Sequence, residues 1–176
     1  MKPMTTTRPE ASEYAEFYGG YVNGVPEGDI LELLQTENDK TIELLSGLTS
    51  DQAGHRYAPD KWSIREMVGH MIDGERTFGF RALCFARQDP ARLPGFEQDD
   101  YVKTSNAEQR ELSELTAELR LARQSNLALF RSFDDEMWSR RGIASECEFT
   151  VRGLVYITAG HEIHHRRVLT ERYLEA

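Results

Sequence analysis

Three of the five histidines fall in one short stretch, "AGHEIHHRR", residues 159–167. Within it His161-Glu162-Ile163-His164-His165 matches H-E-x-x-H, the zinc-protease pattern in which two imidazoles one helical turn apart hold the metal and the glutamate acts as base. A protease of this type takes its third ligand from further along the chain. Eleven residues follow His165, and their carboxylates, Glu171 and Glu175, are expected to continue the same helix. At 1.5 Å of rise per residue they lie roughly 9 Å or more beyond the metal. No strand-rich region stands upstream to line a peptide. The protease reading therefore lacks its third ligand and its substrate groove.

The spacing keeps a different meaning. His161 and His165 stand at i and i+4, on the face that also carries Leu154, Thr158 and Val168, so both rings should point into a core. Unpartnered imidazoles are costly there, and a metal ion would satisfy them. His164, three residues from His161, also meets the spacing. Its other readings are a group behind the ligands, or a cation that complements the helix C-terminus together with Arg166 and Arg167. A third ligand should come from a second helix. His70, in "MVGHMIDGER", lies at the border of that segment's apolar stripe, between Gly69 and Gly74, which leave room for a neighbour. Its plainer reading is a core-edge histidine bonded to a carbonyl or carboxylate. His55 sits in a connector. Cys84, roughly 21 Å further along the helix than His70, cannot share its metal, and Cys147 shows no ligand spacing.

Four helices are expected to position these groups. The first follows an Asp29 N-cap, its stripe of Ile30, Leu33, Leu34, Ile42, Leu44, Leu45 and Leu48 thinned by Asn38, Asp39 and Thr41. The second runs over about 64–87, after the capping box Ser63-Ile64-Arg65-Glu66, and stops before Asp89-Pro90. A loop over 89–104 leads to a second capping box, Ser105 to Glu108, and a third helix reaching about Phe133 with Leu112, Leu115, Leu119, Ala122, Leu129, Phe130 and Phe133 inward. A polar connector over 134–149 leaves room for a short hairpin. Thr150 caps the fourth helix, which carries the histidines. Residues 1–28 form an irregular arm that Tyr14, Phe17, Tyr18 and Tyr21 should bury against the body. The fold class is all-α, a four-helix bundle with an irregular aromatic N-terminal arm, one domain over 1–176.

Net charge is −9, which opposes binding to nucleic acid or anionic membrane. Two cysteines make no disulfide framework, and no stretch approaches a signal peptide or a membrane span. A cytoplasmic protein with a small-molecule substrate, no nucleic acid and no membrane partner is expected.

The stretches "KWSIREMVGHMIDGERTFGFRALCFAR" (61–87), "LPGFEQDDYV" (93–102) and "AGHEIHHRRVLTERYL" (159–174), with the arm "EYAEFYGGYV" (13–22), resemble the DinB-like family of the DinB/YfiT superfamily. The resemblance implies a four-helix bundle, often a homodimer. It also implies a metal site of three histidines, one on the second helix and an H-x-x-x-H pair on the fourth. Carried over, the ligands are His70, His161 and His165, which decides between His164 and His165. Zinc or nickel is the metal the resemblance implies. Thiol-S-transferases using bacillithiol or mycothiol belong to the same superfamily.

Three imidazoles leave a position open for a water or a thiolate. The expected function is a metal-dependent enzyme of the DinB-like type, a transferase with a low-molecular-weight thiol cosubstrate or a hydrolase. The alternative is a non-catalytic, metal-stapled stress-response or binding module. No catalytic residue is assigned. Glu162 holds the position of a protease base. Asp73, one turn from His70, could orient an imidazole. Glu75 could pair with Arg76 or Arg81, and Asp99, Asp100 and Tyr101 could border the pocket mouth.

Overall fold

The computed structural model describes residues 4–174. The arm, residues 4–28, makes three short 3-10 turns and then a helix, α1 (Gly19–Gly24). The remaining helices are α2 (Ile30–Ser46), α3 (Ser50–Ala53), α4 (Ile64–Ala86), α5 (Gln98–Thr104), α6 (Leu112–Phe130), α7 (Asp135–Ser139) and α8 (Val151–Val168). A hairpin of β1 (Arg141–Ala144) and β2 (Cys147–Thr150) precedes α8, paired antiparallel from Arg141 with Thr150 to Ala144 with Cys147.

Local chemistry sets the helix starts. The Asp29 carboxylate accepts from Leu31 N at 2.9 Å. Ser63 and Glu66 close a capping box, and Thr150 Oγ1 accepts from Gly153 N at 2.9 Å; each satisfies a backbone donor the first turn leaves open. The second expected capping box does not form. Ser105 ends α5, Asn106 is left-handed at φ 53°, and α6 starts only at Leu112. The Glu108 carboxylate accepts instead from the Ser63 hydroxyl and Arg56. The expected loop over 89–104 therefore contains the helix α5. On α6, Ala122 and Leu129 are half-buried, while Arg123 and Leu127 take core positions.

α2, α4, α6 and α8 form the bundle. α4 packs against α6 and α8, and α2 packs against the same two from the other side. Contacts between residue pairs give the directions. Arg76 meets Glu118 and Gly79 lies against Asn126, so α4 runs parallel to α6; Ile30 and Leu34 share one core with Leu154 while Ile42 and Leu45 share the other with Leu169, so α2 runs parallel to α8. Gly74 lies against His161 and His70 against His165, so α4 and α8 are antiparallel. A parallel α4–α6 pair forces residues 87–111 to cross back along the whole bundle. That crossover pairs Leu93 with the hairpin (Leu93 N to Ile143 O, 2.9 Å), lays Gln98 and Asp99 over the middle of α4, and seats Ala107 against Gly69.

The core has two parts. One joins the arm, the hairpin, the C-terminal half of α4 and the N-terminal half of α8, around Phe78, Phe85, Phe149 and Leu154. The other joins the opposite halves, around Ile42, Ile64, Met71, Leu115 and Leu169. Between them lies a buried polar layer to which every long helix contributes: Glu37, Asn38 and Thr41 from α2, His70 and Glu75 from α4, Arg123 from α6, and His161, Glu162 and His165 from α8. Asn38 and Thr41, which thin the stripe of α2, are buried because they face this layer. No helix among the described residues is long and apolar enough to cross a membrane.

Candidate metal centre

On α8 the i, i+4 spacing points His161 and His165 to the same side, toward α4, where His70 meets them. The Nε2 atoms of His70 and His161 are 2.9 Å apart, and one ring nitrogen from each histidine lies within 4.8 Å of the other two. Imidazole nitrogens bound tetrahedrally at about 2.0–2.1 Å from zinc stand roughly 3.3 Å apart, within that range. Gly74 makes the approach feasible. A Cβ there would sit 2.8 Å from His161 Cε1, so any side chain would displace the ring.

The three rings are buried and poorly satisfied. His70 Nδ1 and both nitrogens of His165 are buried with no hydrogen-bond partner. Buried polar atoms without partners are rare and call for an explanation; a cation taking one nitrogen from each ring would satisfy one of the two on His165 and replace the His70–His161 contact. Burial holds all three imidazoles neutral: His70 is lowered to about 4, with Asp99 opposing, and His161 and His165 fall well below the ordinary histidine value. Neutral imidazole is the ligating form. Among the described residues no cysteine or carboxylate joins the group.

Two clefts reach the histidines. One, of about 520 Å³, is walled by Phe17, Tyr18, Tyr21, Phe78 and Phe96 and touches His70 and His161; Ser145 lies in its wall. The other, of about 470 Å³, is lined by Tyr57, Lys61, Trp62 and Tyr173 and touches His164 and His165. Gln98 and Asp99 of the crossover border both. The Trp62 ring stands 4.8 Å from that of His70, and the Tyr21 ring 5.6 Å from that of His161. The arm is thus part of the site's wall. Gly160 brings it there: a Cβ at 160 would lie 2.2 Å from the Tyr21 carbonyl oxygen.

Other sequence candidates fall elsewhere. His164 is half-buried beside Tyr21 and outside the three-histidine group. His55 is exposed near Tyr173. Cys84 is buried in the arm-side core, and Cys147 is half-buried on the hairpin. Asp73 lines a separate groove with Arg76 and Glu118 and makes no bond to His70, whose Nδ1 stays unpartnered. Tyr101 lines that same groove, and Asp100 is exposed. Glu162, adjacent in sequence to His161 but a further 100° around the helix, points away from the cluster. It accepts from Asn38 Nδ2 at 2.9 Å and forms an ion pair with Arg123 at 2.7 Å. Burial raises its carboxyl despite that arginine.

Glu75 pairs neither with Arg76 nor with Arg81. It takes both Arg123 Nε bonds, at 3.1 Å, and the Asn126 amide at 2.9 Å. Arg123, wholly buried, also donates to the Leu34 carbonyl at 2.6 Å, and burial is outweighed by its two carboxylates, which hold it charged. Arg123 is the residue the sequence reading passed over. Its signal was there: a charge at the position that continues the Leu115 and Leu119 stripe.

A sequence model of the DinB superfamily matches residues 33–169. The chain belongs to the DinB superfamily. The matched span runs from the first turn of α2 through α8 and includes all three histidines. Comparison with curated proteins finds no match. Among solved structures, the chain is similar to YfiT from Bacillus subtilis, described as a probable metal-dependent hydrolase with an unusual four-helix bundle topology. The TM-score is 0.71 at 16% identity, over 96% of this chain and 94% of that one. It is also similar to a DinB-like protein, YjoA, of the same organism, with TM-score 0.60 at 19% identity over 84% and 91%. At these identities the likeness establishes the fold, and it agrees with the all-α bundle read from the helical periodicity of this DinB superfamily chain.

Proposed function

We propose that His70, His161 and His165 hold one divalent metal ion, zinc or nickel, and that the chain is a metal-dependent enzyme acting on a small molecule. The observation that carries this reading is the convergence of three buried, neutral imidazoles at the meeting point of two clefts, with no fourth protein ligand beside them among the described residues. Structural zinc sites are closed by four protein ligands; three with an open position is the catalytic pattern. A divalent ion held this way supplies Lewis acidity, lowering the pKa of a water or thiol and polarising a substrate oxygen.

The protein's own groups do the rest. The aromatic wall excludes water from one side of the histidines and presents an apolar surface to a substrate. Trp62 and Gly74 hold the His70 and His161 rings in place. Glu162 is tied to Asn38 and Arg123 and takes no proton from the reacting atoms. The carboxylate that borders both clefts is Asp99, and we assign it the proton lost by the nucleophile. Two clefts at one centre suit a two-substrate reaction, a transfer from a low-molecular-weight thiol. Hydrolysis, supported by the description of YfiT, needs only one.

The test is metal analysis followed by a paired activity screen. Purified protein should carry about one metal per chain, and His70→Ala, His161→Ala and His165→Ala should each lose it. Metal-loaded protein is then assayed with several thiols against a model electrophile and with small esters and amides. Turnover should require the three histidines, and Asp99→Asn should lower it with metal content unchanged. Undiminished metal in the histidine variants refutes the site. Full metal with no turnover in either screen refutes the enzyme and leaves a metal-stapled bundle.

A further inference from the structure

Among the described residues the most exposed large apolar side chain is Phe17, at 70%. Apolar residues exposed singly are ordinary. Phe17 differs in where it stands and in how firmly it is held. It lines the aromatic cleft that reaches His70 and His161. It sits in a 3-10 turn, Glu16–Tyr18, between two fastenings of the arm. Before the turn, Glu13 is paired with the buried Arg152. After it, the Val22 carbonyl accepts from Arg8, as does that of Val25 at 2.7 Å. The exposure of Phe17 is therefore fixed by the fold and is not the swing of a loose arm.

Its ring is the outer end of an unbroken run of ring contacts. Phe17 lies on Tyr18 with centroids 4.0 Å apart. Tyr18 and Phe78 meet edge to face at 6.0 Å, and Phe78 and His161 do so at 5.7 Å. A second branch runs from Tyr18 to Tyr21 at 6.0 Å, and from Tyr21 to His161 at 5.6 Å. All of these residues line the same cleft, and Phe96 adds a ring from the crossover. The other cleft differs. Its rings, Tyr57, Trp62 and Tyr173, each carry a polar group, and Lys61 lines it, whereas no lysine or arginine lines the first. Aromatic rings are negative on the face and positive at the edge. A wall built of them favours another ring, offset or edge-on, over a saturated group of similar size.

We propose that the aromatic cleft selects small molecules that carry an aromatic group, and that Phe17 at the outer end of the ring track sets this preference. At about 520 Å³ the cleft is of the size that encloses a small organic ligand. A ring held against Phe17 and Tyr18 leaves the inner end of the cleft, at His70 and His161, for a reacting group. That such a molecule is a substrate rests on the metal-dependent reading above; that it binds does not.

Binding of 3-phenylpropionamide and 3-cyclohexylpropionamide to the full-length, metal-loaded chain, measured by ligand-observed NMR titration, tests this. Both are neutral, so Glu97 and Asp99 in the cleft wall treat them alike. The saturated ring is the more hydrophobic, so burial alone favours it. Ring contacts should reverse that order, and the phenyl compound should bind about two- to ten-fold tighter. Phe17→Leu keeps an apolar side chain at an exposed position, so the chain still folds, and it should remove most of the preference. Phe80→Leu changes a ring that is 57% exposed and does not line the cleft, and should leave the preference intact. His165→Ala separates the two readings. His165 does not line this cleft, so the variant should lose metal and retain the preference. A cyclohexyl compound that binds as tightly as the phenyl compound overturns the proposal. So does a preference that survives Phe17→Leu undiminished, or one that disappears with the metal in His165→Ala.

Discussion

Arg123→Met is the sharpest test of the buried polar layer. Arg123 is 0% exposed, and its partners Glu75 and Glu162 are 3% and 2% exposed. Methionine fills much of the same volume, so the substitution removes the guanidinium and leaves little cavity. It strands two carboxylates, which keep the Asn126 and Asn38 amides, while the Leu34 carbonyl, inside α2, keeps its helical hydrogen bond. Breaking a buried pair by deleting one partner costs about 3–5 kcal/mol. The expected loss is therefore on the order of 3–5 kcal/mol, a large part of the roughly 5–15 kcal/mol that holds a domain folded. With a urea m-value near 2 kcal/mol/M, the midpoint should fall by about 1.5–2.5 M. Two controls separate charge from packing. Adding Glu75→Gln and Glu162→Gln to Arg123→Met should restore at least half of the loss. The single variant should also depend on pH with a definite sign. Burial already raises the Glu162 carboxyl; without Arg123 opposing, its folded-state pKa lies further above the unfolded one, so the folded chain binds more protons and stability falls as pH rises. Arg123→Met should be less destabilised at pH 5 than at pH 8. A loss below about 1 kcal/mol, no rescue by the glutamines, or an equal deficit at both pH values would refute the idea that this layer is held by charge.

Gly74→Ala should leave the fold intact but push the His161 ring, lowering metal affinity about ten- to a hundred-fold; competition with a chromophoric chelator measures it. Gly160→Ala places a Cβ 2.2 Å from the Tyr21 carbonyl oxygen and should lift the arm off α8, seen as a lowered Tm and faster proteolysis before residue 28. At Glu13, burial alone would raise the carboxyl, but Arg152, the Glu10 backbone and the Thr150 hydroxyl hold it below its ordinary value. That stability is present above the unfolded pKa and is lost as pH falls through the folded one. Glu13→Gln should therefore destabilise at neutral pH and flatten the stability curve below about pH 4.5, in acid titrations followed by circular dichroism.

The sequence carried the bundle because its long helices announce themselves: strong caps at Asp29, Ser63 and Thr150, and apolar stripes at the helical period. It misplaced the start of α6 because Ser105 and Glu108 have capping-box chemistry, yet Asn106 turns left-handed between them and Glu108 is claimed by Ser63 and Arg56. α5 escaped because its burial is a single residue, Val102, too little to make a stripe. Of the site, the i, i+4 pair His161/His165 was legible from spacing, since one helix fixes it. The meeting with His70, 91 residues earlier, depends on the antiparallel packing of α4 on α8, which no local pattern reports; its place at the border of an apolar stripe made His70 a candidate, and the family resemblance singled it out. The roles guessed for Asp73, Glu75 and Glu162 failed for one reason. Asp73 and Glu162 were matched to the histidines beside them in sequence, and Glu75 to the nearby Arg76 or Arg81, while the rotation of each helix turns them to a different neighbour.

The layer's position is an argument about function. Each long helix interrupts its apolar stripe near mid-length, at Asn38, Glu75, Arg123 and Glu162, and the interruptions meet at one level. A bundle of this size gains nothing in stability by doing so, since a buried ion pair is often no better than apolar residues of similar volume. What the layer does supply is a fixed helix rotation. Glu162 can reach Asn38 and Arg123 only when α8 is turned so that His161 and His165 face His70 across Gly74. An apolar residue at 162 would tolerate several rotations within a greasy core; a carboxylate with two specific partners tolerates one. The charged half of the layer thus holds the histidine half in register. The expectation that follows is a separable effect: Glu162→Leu leaves Arg123 paired with Glu75 and strands no charge, so it should preserve stability within about 2 kcal/mol while weakening metal binding. Equal metal affinity in Glu162→Leu and the parent chain would show that packing alone sets the rotation.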